Sequence, residues 1–161
     1  MDLTEIAIAL HRQIASSSIT WSQAYTLQAA PASRAAITSL LAHAIGVDDA
    51  RFVHAVIEEP DHASTHVQVT VFTDEALAVV TGVLSPSAVV LPRTALKAIK
   101  ITSSPNVVNG SGWDAAAPLR LELDYSPLLE GALILGHKDQ TPRNATDLAG
   151  FLDELRRDLT R

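Results

Sequence analysis

The spacing of hydrophobic residues changes twice along the chain and separates a helical start, a β-rich middle and a helical end. In the first fifty residues, apolar side chains recur at intervals of three and four, the spacing of one face of an amphipathic helix. Asp2 and Glu5 form a capping box, and the serines at 16–18 compete with helical hydrogen bonds. The pattern predicts three helices: one ending at these serines, one over about 21–30, and one ending before Gly46.

From residue 51 the apolar positions alternate, which is typical of strands with one buried face. The alternation is clearest where Leu119, Leu121 and Leu123 are separated by charged residues. Turn residues recur at intervals of about eight to twelve positions, which favours a barrel or sandwich over βαβ units. The pattern predicts seven short antiparallel strands, over 52–57, 67–71, 76–83, 88–91, 96–102, 119–125 and 131–137, with polar loops at 58–62 and 103–118.

The last twenty residues return to the helical spacing. Thr141 and Pro142 suit the cap and the first turn of a helix. An apolar stripe follows, made of Leu148, Phe151, Leu152, Leu155 and Leu159. Because an amphipathic helix gains most of its stability from the surface it covers, the pattern predicts a C-terminal helix packed on the strands.

Seven strands followed by a capping helix resemble the pleckstrin-homology-like barrel, and especially its bacterial and GRAM-type relatives. The resemblance spans residues 51–161 and is carried by the segment 91–101, the strand 119–125 and the helical segment 151–155. It implies a seven-stranded antiparallel pleckstrin-homology-like barrel or sandwich, capped by the C-terminal helix. Residues 1–50 lie outside the resemblance and are expected to form an added N-terminal helical element, which makes the predicted fold α+β.

Composition narrows the classes of function. The chain has 161 residues, of which 47% are hydrophobic, enough for a sizeable core in one compact domain. The absence of cysteine excludes disulfides, thiol catalysis and zinc–thiolate sites. A net charge of −6 and a start without a cationic stretch and apolar block predict a soluble, cytoplasmic protein. The excess of arginine over lysine is common in GC-rich bacterial genomes.

The sequence motifs predict no catalytic residue, no metal site and no cofactor. The segment 109–113 contains Gly-Ser-Gly but lacks the glycine spacing of a nucleophile elbow, and no Gly-Lys-Ser/Thr follows a strand. His62 and His66 lie near three acidic residues without a known ligand spacing, which indicates a solvated acidic hairpin. Glu122 and Asp124 alternate with leucines and are therefore expected on a solvated face.

His54 interrupts an apolar strand, and two interpretations follow. The first is a hydrogen-bonded, half-buried histidine beneath the N-terminal helices or in a groove, because no acid or nucleophile partners it in the sequence. The alternative is a cone-shaped fold, as in nuclear-transport-factor-2-like proteins, that binds or converts a small molecule in a pocket near His54 and Tyr125.

The distribution of charge predicts the kind of partner. Many pleckstrin-homology domains bind phosphoinositides with basic residues around the first hairpin, but here the segment 58–61 is acidic, which opposes a phosphorylated headgroup. Residues 1–50 hold two basic side chains against four acidic ones, which opposes nucleic acid. Partner-binding candidates are Arg93, Lys97, Lys100 and, in the long loop, Trp113. The sequence therefore favours a non-catalytic module that binds a protein or peptide.

Overall fold

The computed structural model describes residues 2–24, 27, 31–61, 64–105, 118–138 and 140–161. The helices with described bounds are α1 (Leu3–Ser17), α2 (Pro31–Ile45) and α3 (Pro142–Asp158), and the strands are β1 (Phe52–Asp61), β2 (Ser64–Phe72), β3 (Ala76–Thr81), β4 (Ser87–Pro92), β5 (Ala98–Ser103), β6 (Arg120–Asp124) and β7 (Leu133–Leu135). Short 3₁₀ turns lie at Thr20–Ser22 and Arg93–Ala95.

The strands form two antiparallel sheets. The first has the order β1-β2-β3-β4 and the second the order β5-β6-β7. The predicted α+β fold is confirmed in its coarse form: two N-terminal helices, seven antiparallel strands and a C-terminal helix. Within the described residues the two sheets do not join into a closed barrel.

The four-stranded sheet is covered on both faces, so the protein has three layers. Alternate β1 residues Val53, Ala55 and Ile57 belong to a core shared with α1 and α2. Phe52, on the opposite face, belongs to a second core shared with the three-stranded sheet and α3. Because side chains of a strand point alternately to opposite faces, one strand contributes to both cores.

The start of the chain folds largely as its pattern predicts. The capping box is present, since Asp2 accepts a hydrogen bond from the backbone N–H of Glu5, and the side chain of Glu5 accepts one from Asp2. The face of α1 that carries Ile6 and Leu10 is buried. Of the predicted second helix, Trp21 lies in a 3₁₀ turn, and most of the remainder lies outside the described residues. No described helix has the length and apolar character needed to span a bilayer.

The first hairpin corrects the predicted loop at 58–62. β1 continues to Asp61, which pairs with Ser64, and the pairing register shifts between Glu58 and Asp61. β1 is an edge strand of its sheet, which is the position where a proline is usually tolerated within a strand. The prediction failed because proline and consecutive acidic residues are usually read as a break between strands.

Candidate functional site

Arg93, one of the predicted partner-binding residues, lies inside the protein. It is 3% exposed, and its guanidinium faces Asp158 near the end of α3, with Nε and Nη2 at 2.8 and 2.7 Å from Oδ2. Nη1 donates to the carbonyl oxygen of Thr73 at 2.8 Å and lies 3.4 Å from Glu154. The guanidinium also lies over the ring of Phe151, 5.2 Å from its centroid. Arg93 therefore connects α3 to the sheet through its contacts with Asp158 and Thr73. Partner binding at this residue stays a prediction.

The two predicted lysines lie at the surface, and one of them forms an ion pair. Lys100 is directly opposite Glu122 in the β5–β6 ladder and forms an ion pair with it at 3.1 Å. Hydrogen bonds from the backbone N–H and the side chain of Ser126 lower the pKa of the Asp124 carboxyl group, against a smaller opposite effect of desolvation, and the charge of Lys97 lowers it slightly further. Partner binding at these lysines stays a prediction. Trp113 lies outside the described residues.

His54 is the centre of a buried polar network at the other end of α3. Its Nδ1 lies 2.8 Å from Oδ1 of Asn144, and its Nε2 accepts the backbone N–H groups of Gly136 and His137 at 3.2 and 3.4 Å. Asn144 in turn donates to the carbonyl oxygen of Val53. Because Nε2 accepts two donors, the proton of a neutral ring lies on Nδ1.

This geometry gives His54 a structural role. Both ring nitrogens are occupied, so neither is free to take a proton from a bound molecule. The predicted hydrogen-bonded histidine is present, but it is fully buried beneath α3 rather than half-buried beneath the N-terminal helices or in a groove. It is not beneath the N-terminal helices because Val53 and Ala55, its neighbours in the strand, face α1 and α2, so His54 lies on the opposite face.

Tyr125 lies in the second core, and its hydroxyl makes no hydrogen bond within the described residues. Burial raises the pKa of this phenol above its ordinary value of 10.0, and the charge of Asp158 raises it further, against a smaller opposite effect of Arg93. Five clefts in the described part of the chain are lined by residues other than Tyr125 and His54. The alternative of a small-molecule pocket beside these two residues stays a prediction.

Replacing Tyr125 with phenylalanine tests the buried hydroxyl. We expect Tyr125→Phe to raise the free energy of unfolding by about 1 kcal/mol at neutral pH, because a buried group without a partner is removed. Above pH 10 the unfolded tyrosine ionises while the folded one stays neutral, so wild-type stability falls as pH rises. Denaturant unfolding at neutral and alkaline pH measures both effects. A gap between the two proteins that does not widen at alkaline pH would contradict the assignment.

A shallow cleft of about 460 Å³ lies between α1 and α2, on the side of the two helices that faces away from the core they share with the four-stranded sheet. Its apolar lining includes Ala7, Ile8 and Ala35. Ile8 is 49% exposed, because it lies off the stripe that α1 buries against the sheet. The complete set of described lining residues is Thr4, Ala7, Ile8, His11, Arg12, Pro31, Arg34, Ala35, Thr38 and Ser39.

Two arginines give this cleft its charge. Arg12 and Arg34 line it, and within the described residues neither guanidinium forms an ion pair or a hydrogen bond. No aspartate or glutamate is among the described lining residues. These are the only two arginines before residue 51, in a chain whose net charge is −6. The cleft is therefore a local cationic and apolar surface on an acidic protein.

Sequence reasoning counted these two arginines but did not place them together. They are 22 positions apart, and only the packing of α1 beside α2 brings them to one cleft. The available signal was Ile8, an apolar residue outside the buried stripe, four positions before Arg12 on the same helix.

Comparison with known proteins adds no assignment. No protein-family model, no curated protein and no solved structure matches this chain.

Proposed function

We propose that the protein is a non-catalytic interaction module whose α1–α2 cleft binds an acidic amphipathic helix of a partner protein. The observation that carries the proposal is an exposed apolar floor together with two arginines that, among the described residues, form no ion pair and share the lining with no carboxylate. An apolar stripe on the partner would cover Ile8 and Ala35, and flanking carboxylates would reach Arg12 and Arg34.

A helix suits the cleft better than an extended peptide does. The walls of the cleft are side chains of two neighbouring helices, and helix backbones have no free edge to which a strand could add. Binding must therefore come from side-chain packing, which a helix provides by presenting residues at intervals of three and four. Arginine binds carboxylates through two parallel hydrogen bonds, which would orient the partner helix.

The remainder of the chain supports this surface as a scaffold, and we propose that the scaffold is a pleckstrin-homology-like sandwich. In favour of that topology are the four-plus-three arrangement of antiparallel strands, the order of the elements and a C-terminal helix packed in the second core. The cores are filled by side chains, which suits a rigid platform. Since a fold does not determine a function, the cleft carries the functional proposal.

The test compares two synthetic helical peptides with the same leucine stripe, one flanked by glutamates and the other by lysines. Fluorescence anisotropy measures their binding to the full chain. We expect the glutamate peptide to bind more tightly by about tenfold or more. The reason is that it makes two charge contacts, each worth about 1 kcal/mol of binding free energy, that the lysine peptide cannot make. We expect its affinity to fall as salt concentration rises.

Matched variants locate the binding. Arg12→Glu/Arg34→Glu should abolish the preference for the glutamate peptide, and Ile8→Asp should weaken both peptides. Arg120→Glu/Arg156→Glu makes the same change in net charge at two exposed positions outside the cleft and should leave the preference intact. The proposal is wrong if neither peptide binds, or if the control double variant loses the preference as fully as the cleft double variant.

A further inference from the structure

β4 is an edge strand with an unusual surface. It pairs with β3 on one side, and within the described residues no strand pairs with its other side. Ala88 is exposed, Val89 is 40% exposed and Val90 is 50% exposed. From Ser85 to Pro92 the chain carries no charged side chain. Exposed edges of natural sheets are usually protected by charges, and β4 lacks them.

The register shows which backbone groups of β4 point outward. The N–H of Arg93 donates to the carbonyl oxygen of Glu75, just beyond the pair formed by Pro92 and Ala76. Residue pairs in an antiparallel ladder alternate between hydrogen-bonded and non-hydrogen-bonded pairs. The backbone N–H and C=O groups of Leu91, Val89 and Ser87 therefore point towards β3. The N–H and C=O groups of Ala88 and Val90 therefore point to the open side of the strand.

We propose that β4 pairs with β4 of a second copy of this chain, around a two-fold axis at Val89. In that register Ala88 of each copy lies opposite Val90 of the other, and the two pairs make four backbone hydrogen bonds. Pro86 and Pro92 have no N–H to donate, and this register places them opposite each other at the two ends of the ladder, which is therefore limited to these four hydrogen bonds. The pairing is closed, because both copies use the same edge.

Charge favours a second copy over an unrelated strand. Two acidic proteins normally repel each other, but two copies of this strand meet without opposing like charges. The strand is also rich in valine, which has high β-propensity. Because α2 packs against β4, an axis perpendicular to the sheet brings α2 of the second copy to the same face. α2 contains no acidic residue, so it adds no repulsion and extends the contact beyond the strands.

Sedimentation equilibrium of the full chain tests this pairing over a wide range of concentration. We expect a reversible dimer of twice the 17.1 kDa chain mass. Ala88→Pro should raise the dimer dissociation constant by more than about tenfold, because each copy loses an outward N–H that serves the contact. The same substitution leaves the β3–β4 ladder intact, since that N–H does not face β3. Val90→Lys should act in the same direction through like-charge repulsion.

A matched variant and a fold measurement make the result decisive. Leu128→Lys introduces the same charge at a residue that is 54% exposed in the turn after β6, and it should leave the dimer unchanged. Circular dichroism checks each variant, and Val90→Lys carries the test if Ala88→Pro does not fold. The pairing is refuted if the chain is monomeric at every concentration, if Leu128→Lys weakens the dimer as much as Val90→Lys does, or if the edge binds only an added extended peptide.

Discussion

Replacing Arg93 with methionine is expected to lower the free energy of unfolding by about 3–5 kcal/mol, because it removes the buried cation of Asp158 and leaves that carboxylate only the exposed Arg161, 3.9 Å away. Methionine keeps most of the length of the side chain and its contact with Phe151, so loss of packing contributes little. A loss of this size is a large part of the roughly 5–15 kcal/mol that stabilises a typical domain. Urea denaturation of the two proteins measures it.

The double variant Arg93→Met/Asp158→Leu distinguishes the cost of an unpaired charge from the value of the pair. We expect it to recover most of the loss, since an apolar pair of similar volume can replace a buried ion pair at little cost. Lys100→Met is the surface control, because the Lys100–Glu122 pair has a lysine side chain that is 71% exposed, and its loss should be at most about 1 kcal/mol. If Arg93→Met costs no more than Lys100→Met, the buried pair does not hold α3.

Each end of α3 is held by a buried side-chain hydrogen bond to the four-stranded sheet or the turn that follows it. Asn144 in its first turn binds His54 of β1, and Asp158 in its last turn binds Arg93, which follows β4. Apolar residues of the stripe lie between these polar anchors. Apolar packing alone would allow α3 to slide slightly along its axis. Two hydrogen-bonded anchors fix both its position along that axis and its rotation about it. These two anchors therefore set the position of α3 against the second core.

The elements of this fold could be predicted because its hydrophobic pattern is regular. Leu121 and Leu123 are buried on the face opposite Glu122 and Asp124, as their alternation indicates. The stripe of α3 was misread only at its end, where Asp158 is buried and Leu159 is 39% exposed. A pattern of apolar residues cannot show that a carboxylate belongs to the buried face, because its cation lies 65 positions away.

The candidate site was harder to predict than the fold. Arg93 was selected as a surface residue because basic residues cluster near it in the sequence, and local charge does not report burial. Arg12 and Arg34 are isolated in the sequence and are brought together by the packing of two helices. Sequence spacing predicts which face of one helix is apolar, but it does not predict which faces of two helices border the same cleft.

Among the glycines of the described residues, Gly136 is the one at which an added methyl group should destabilise the fold most. Its φ of +89° lies in the left-handed region, and a Cβ there would overlap the carbonyl oxygen of Leu119 and lie 3.0 Å from Cα of Arg120. The obstacle is backbone of the neighbouring β6 region, which cannot rotate away as a side chain can. Moving Gly136 would also displace the N–H that it donates to His54.

We therefore expect Gly136→Ala to cost more than about 3 kcal/mol, from backbone strain of about 1–3 kcal/mol, displacement of β6 and loss of the His54 contact. Gly131→Ala is the matched control, since Gly131 has a similar φ of +76° but nothing within 4 Å of its added Cβ. It should cost about 1–2 kcal/mol, from strain alone. Denaturant unfolding of both variants measures the difference, and amide hydrogen exchange should show lost protection along β6 and β7 in Gly136→Ala only. Equal losses in the two variants would mean that the close approach to Leu119 does not constrain this position.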